Sequence, residues 1–221
     1  MLDDTHSGAE VRASVAAELD WDPQLDSRDI SVTAEGSVVT LRGTVGSLRQ
    51  VRQARHAAQR VHGVTSVSNK LTVRPMTDGH REDHEVGTAV RQALMSNITI
   101  PATVNAEARG GVVRLTGSVS WQWQREEAEQ ACASVAGVLG IADHIKLIPA
   151  PAGTDTQEAI MAAFRRNAPL SLNDLSVDVA GASVVILSGT VNTWAEHDEA
   201  VTTAWSAPGV AQVDDRVEVW Y

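Results

Sequence analysis

A short apolar strand ending in nearly the same five residues occurs three times in this chain, as LRGTV at 41–45, LTGSV at 115–119 and LSGTV at 187–191. Gly43, Gly117 and Gly189 are spaced by 74 and 72 residues, and a second set, Gly63, Gly137 and Gly209, by the same 74 and 72. Two landmarks that move together mark a folded unit that was copied. A period this long exceeds that of solenoid repeats, so each copy holds enough chain for a small core of its own. The 221 residues divide into units of about 70, near the lower limit of independent stability.

Within each unit the pattern reads helix, strand, strand, helix, strand. Val11, Val15 and Leu19 recur every fourth residue and mark one face of a helix that stops at Trp21-Asp22-Pro23, where proline blocks continuation. Val86, Val90 and Leu94 repeat this in the second unit, and Ile160 and Phe164 in the third, followed by a longer loop through Pro169. Two strands follow, with tight turns at Glu35-Gly36-Ser37, Arg109-Gly110-Gly111 and Gly181-Ala182-Ser183, where glycine supplies positive φ. Ser47 and Thr193 are placed to cap the next helix, and Thr193 with Glu196 fits a capping box. Leu48, Val51, Ala54, Ala58 and Val61 form its buried stripe, Gly63 its C-terminal cap, and a last strand runs over 64–73. The expected fold class is α+β: three tandem αββαβ domains, at 7–75, 82–149 and 154–221, each a three-stranded mixed or antiparallel sheet under two helices. Spacing leaves open which strand is central.

Split by repeat, Lys plus Arg against Asp plus Glu run 9 and 9 for 1–75, 6 and 9 for 76–150, and 3 and 10 for 151–221. The acidic C-terminal third repels phosphate backbones, which argues against nucleic acid as a partner. No stretch approaches the roughly 18–20 apolar residues of a membrane span. The opening MLDDTHSGAE is acidic and polar where a secretory signal is basic and then apolar, so a cytoplasmic protein is expected. One cysteine, Cys132, excludes an intramolecular disulfide and fits a reducing compartment.

The hairpin leading into LxGxV, the alanine-rich second helix and the Gly-Val opening each last strand (Gly63-Val64, Gly137-Val138, Gly209-Val210) make residues 7–221 resemble three tandem BON domains. WQWQREEAEQA at 121–131 and AWSAPGV at 204–210 are similar to phrases of leaderless bacterial proteins with three such domains, often labelled transport-associated or stress-induced. The resemblance implies a binding module without catalytic residues or cofactors, expressed under osmotic or general stress, that engages phospholipid membranes or protein partners. OsmY-like members are exported, and the polar opening sets this chain apart from them. A cytoplasmic potassium-binding branch joins the domain to a LysM module; no LysM-like segment is present here, so potassium sensing is not carried over.

Arg49, Arg52, His56 and Arg60 share the helix face opposite the apolar stripe in repeat one. Such a face is ordinarily solvated, and it also suits lipid phosphates or a docking surface for acidic helices. The equivalent helices carry Glu126, Glu127 and Glu129, and Glu196, Asp198 and Glu199, an electrostatic route to packing between repeats or to self-association. Trp121 and Trp123 are candidates for partial exposure, where packing between adjacent repeats is the favoured reading and contact with a partner or membrane the alternative. Trp194 aligns with Leu48 and is expected in the core, Trp205 is a candidate for packing between adjacent repeats, and Trp21 and Trp220 are expected to cover core edges. His80 and His84, with Asp78, Glu82, Asp83 and Glu85, contain metal-ligand types, although an acidic linker accounts for them. Cys132 aligns with Ala58 and Ala204 on the buried stripe and reads as core. With no nucleophile elbow, zincin motif or phosphate loop, enzymatic activity is not expected. The leading expectation is a stress-associated array whose hairpin edges and helix faces engage a protein or envelope-proximal partner, with weak holdase activity toward unfolding proteins. The alternatives are attachment to anionic phospholipid through Arg49, Arg52, His56, Arg60, Trp121 and Trp123, and ion or metal sensing through the 80–85 cluster.

Overall fold

The computed structural model describes residues 8–74, 82–150, 156–166, 175–181 and 183–220. The order of elements repeats three times as predicted. Repeat one contains α1 (Gly8–Trp21), β1 (Ile30–Glu35), β2 (Val38–Val45), α2 (Leu48–Gln59) and β3 (Ser66–Val73). Repeat two contains α3 (Asp83–Ser96), β4 (Asn105–Arg109), β5 (Val112–Val119), α4 (Gln122–Ala133) and β6 (Gly140–Leu147). Repeat three contains α5 (Thr156–Arg166), β7 (Leu175–Ala180), β8 (Val184–Val191), α6 (Trp194–Trp205) and β9 (Gln212–Val219). Two compact units make up the chain: Met1–Asn97, Asn105–Leu115 and Glu129–Asp143 in one, Ile98–Val104, Thr116–Ala128 and His144–Tyr221 in the other.

The second strand of each repeat is central, with sheet orders β1-β2-β3, β4-β5-β6 and β7-β8-β9. β1 pairs antiparallel with β2 across a two-residue turn, while β2 pairs in parallel with β3. A parallel pair needs a crossover, and α2 is that crossover. The sheet is thus mixed, and the same pairing recurs in repeat three.

In the first unit, Val11, Val15 and Leu19 of α1 and Ala54, Ala57 and Ala58 of α2 pack onto Val39, Leu41, Val45 and Leu71. Alternation along β2 sends Leu41 inward and Arg42 outward, which leaves the far face of the sheet polar. In the second unit, Ile160 and Phe164 pack with Val185, Leu187, Val191, Ala200 and Ala204. Trp194 and Trp205 lie against this cluster, half-buried. The loop through Pro169 falls outside the described residues, as do most of the two inter-repeat linkers.

The glycine of the repeated LxG phrase has a steric cause. At Gly43 φ is +129°, and a Cβ there would stand 1.9 Å from the carbonyl oxygen of Asp29. Gly117 repeats the arrangement, with φ of +116° and Thr103 O at 2.0 Å. The backbone entering the first strand lies directly on the central strand at this point, and no side chain fits between them.

Candidate functional site

The helix of the basic face, α2, begins at Ser47, whose side chain accepts from the N–H of Gln50 at 3.3 Å. Gln50 Oε1 in turn accepts from Gly46 N at 2.8 Å. Thr193 caps α6 in the same way, but Glu196 Oε2 reaches Asn192 N at 2.8 Å, so the expected capping box closes one residue further back. Capping and the alanine stripe fix the rotation of α2 and so decide where its cations stand.

Arg52 is the most constrained of the four basic-face residues. Its Nη2 donates to Glu129 Oε2 on α4 at 2.5 Å, and the two side chains keep 34% and 26% of their exposure. Burial pushes the Glu129 carboxyl above its ordinary value, Arg52 opposes that shift, and the nearby Asp143 adds to it. Cys132, one turn along α4, is buried; burial and then Glu129 push its thiol up to about 12. A thiol held protonated is a core residue and a poor nucleophile.

Arg60 turns the other way. Its Nε and Nη2 donate to Glu18 Oε1 at 3.0 and 2.8 Å, and Nη2 also lies 3.4 Å from Asp22 Oδ2. Asp22 is a buried carboxylate at the end of α1. Gln53 Nε2 donates to its Oδ2 at 2.6 Å and Gln24 N to its Oδ1 at 3.0 Å. These bonds, with Arg60, hold its carboxyl below the ordinary value against the opposing effect of burial. Arg49 donates to Gln24 Oε1 at 2.8 Å and is exposed, as is His56. Arg55, not singled out in the sequence, is exposed on the same helix.

Trp121 is half-buried, and Trp123 is 47% exposed. Two other tryptophans depart from expectation: Trp21 is 83% exposed and Trp220 63%, so neither covers a core edge. Trp21 lies two residues, roughly 200° of helix, beyond the buried Leu19. Trp220 follows the buried Val219 and points to the opposite side of the strand. Met95 at the end of α3 and Ile98 just beyond it are 86% and 95% exposed, so large apolar side chains stand out where the first helix ends in two repeats.

The expected metal cluster falls partly outside the described residues, which exclude Asp78 and His80. Within them, both oxygens of Asp83 accept from Gly110 N and Gly111 N, at 2.8 and 3.2 Å, and His84 Nδ1 lies 3.2 Å from Glu82 Oε2. Asp83 thus ties α3 to the β4–β5 turn.

A polar constellation in repeat three was not anticipated. His197 on α6 has Nδ1 3.1 Å from Asp198 Oδ1 and Nε2 3.0 Å from Asp215 Oδ2 on β9, with the Trp194 ring edge-on at 4.8 Å. Asp198 first, and Asp215 with it, raise the His197 pKa against burial. Asp215 occupies the repeat position of Asn69, whose Nδ2 donates to Val51 O on α2 at 2.7 Å. Both side chains also accept from the N–H two residues on, those of Leu71 and Val217. A polar residue at the same place in each last strand (Asn69, Asp143, Asp215) was the available signal.

Comparison with known proteins agrees with the repeated architecture. The BON domain model matches residues 7–75, 82–149 and 153–220. The chain is 36% identical over 150 residues to Osmotically-inducible protein Y of Escherichia coli (strain K12), spanning 66% of this chain and 73% of that one. Among solved structures, CdsD, a structural protein of the type III secretion system of Chlamydia trachomatis, aligns at 13% identity over 94% of this chain and 91% of its own. A TM-score of 0.26 means that the two do not superpose as wholes.

Proposed function

The chain belongs to the BON domain family, and on that premise we propose that it is a non-enzymatic binding protein of the osmotic-stress response. Its similarity to Osmotically-inducible protein Y supports the stress setting. The partner class we infer is protein, with weak holdase activity toward unfolding chains at the envelope-proximal side of the cytoplasm. The observation that carries this reading is the exposure of Trp21, Met95 and Ile98, each above four-fifths, at the ends of the first helices of two repeats. Isolated exposed apolar residues are common, but large ones gathered around the end of the first helix in two repeats, at different aligned positions, suit apolar contacts with a partner. Among the described residues, no helix is long and apolar enough to cross a membrane.

Suppression of heat-induced aggregation of a model client tests the proposal. The wild-type chain lowers light scattering with little dependence on salt, and a Trp21→Ser/Ile98→Ser variant loses most of that effect. Failure of the wild-type chain to suppress aggregation overturns the holdase reading. Separation of cytoplasmic and periplasmic fractions tests the location.

Attachment to anionic phospholipid is the second reading, supported by the exposure of Arg49, Arg55 and His56 on α2 and by the half-exposed Trp123. It is weakened by the engagement of Arg52 and Arg60 with carboxylates of the chain itself.

A further inference from the structure

The outer faces of the first and third sheets carry opposite charge on one scaffold. Arg42 of β2 and Lys70 of β3 are direct register partners on parallel strands. Their neighbours Leu41 and Asn69 point toward α2, so both cations rise from the opposite face, where both are exposed. Among the described residues neither side chain meets a carboxylate. Around them stand hydroxyls, with Ser31 beside Arg42 on β1 and Thr72 beyond Lys70. Like charges directly opposite each other destabilise a sheet, and among the described residues no ion pair compensates this pair, Glu35, the acid of β1 on this face, lying at the far end of that strand. Its natural complement is an anionic surface outside the repeat.

The third sheet presents such a surface. On its outer face Ile186 of β8 is flanked by Asp178 on β7 and Asp214 on β9, an acid on either side of an apolar residue in a single row. Glu218 lies further along β9 on the same face, and Arg216 is tied to Asp214, with Nη2 to Oδ2 at 2.5 Å. The central and last strands are eight residues long in both sheets, so the two faces match in extent.

We propose that the outer face of the first sheet, through Arg42 and Lys70, docks the Asp178–Ile186–Asp214 row on the third sheet of a second copy. The contact is face to face between sheets and uses a different patch on each partner, so copies join head to tail. Because it rests on exposed charge, it is favoured at low ionic strength and screened by salt.

Sedimentation velocity of the full chain over a range of concentrations, at low and high salt, tests this. The expected result is mass rising with concentration at low salt and falling back in high salt. Arg42→Glu/Lys70→Glu and Asp178→Lys/Asp214→Lys each weaken association by about tenfold or more, while an equimolar mixture of the two variants restores it. Circular dichroism melts confirm that both variants fold, since the substituted residues lie on the outer faces. A wild-type chain that stays monomeric at low salt overturns the proposal, as does a mixture that fails to associate. A monomeric chain whose binding to anionic vesicles is lost in Arg42→Glu/Lys70→Glu overturns it in favour of lipid.

Discussion

Arg52 and Glu129, 77 residues apart, meet at 2.5 Å and join the second helix of repeat one to that of repeat two. The pair is partly buried, so each charge depends on the other for part of its lost hydration. Arg52→Ala is expected to destabilise by about 1–2 kcal/mol and Glu129→Gln by less, with a double-mutant coupling of roughly 1 kcal/mol in urea unfolding. In Arg52→Ala the Glu129 carboxyl rises further above its usual 4.5. A raised carboxyl binds its proton more tightly in the folded state, so this variant regains stability as pH falls through the folded value.

His197 has both ring nitrogens beside carboxylates, an arrangement that suits the doubly protonated ring. Its pKa is raised above 6.5. That stabilisation is complete below 6.5 and is lost as pH rises through the folded value. Thermal melts of the wild-type chain followed by tryptophan fluorescence should therefore drop in midpoint across this window, and His197→Gln should flatten the dependence. An unchanged slope in the variant would exclude the His197–Asp215 link as its source.

Asp22 behaves in the opposite sense. Its depressed carboxyl contributes stability above 3.8 that is lost as pH falls through the folded value. Asp22→Ala leaves Gln53 Nε2 and the N–H of Gln24 without their acceptor, a cost of about 1–3 kcal/mol. Chemical denaturation at neutral pH measures it, and the variant should lose less stability than wild type in acid.

Gly43→Ala and Gly36→Ala separate close approach from turn geometry. At Gly43 a Cβ would meet Asp29 O at 1.9 Å with φ at +129°, whereas at Gly36 nothing lies within 4 Å and φ is +58°. The expected losses are about 3 kcal/mol or more at Gly43 and about 1 kcal/mol at Gly36. Equal losses at the two positions would contradict the steric account of the repeated LxG phrase.

Much of the fold is legible in the sequence because its signals are local. The stripe of Val11, Val15 and Leu19, the alternation about Val39 and Leu41, the Ser47 and Thr193 caps and the turn glycines each follow from a period or a single residue's chemistry. The central place of β2 is not local: Val39 and Val67 alternate alike, and their parallel partnership depends on where α2 crosses. The site was less legible for the same reason. A basic helix and acidic helices in the neighbouring repeats suggested docking, but placement alone pairs Arg52 with Glu129 and turns Arg60 back to Glu18. Repeat alignment held the Asn69, Asp143 and Asp215 series, yet the His197 contact requires α6 to pack on β9. Trp21 and Trp220 were misplaced because proximity to an element's end outweighed their angular position relative to Leu19 and Val219.

The choice between protein and lipid as partner rests on whether the α2 cations are available. Co-sedimentation with anionic and neutral vesicles at low and physiological salt, beside an Arg49→Glu/Arg55→Glu variant, measures that most directly. With Arg52 and Arg60 held by the chain's own carboxylates, the account predicts no more binding to anionic than to neutral vesicles in either salt. Strong binding to anionic vesicles that salt and the variant both abolish would contradict it.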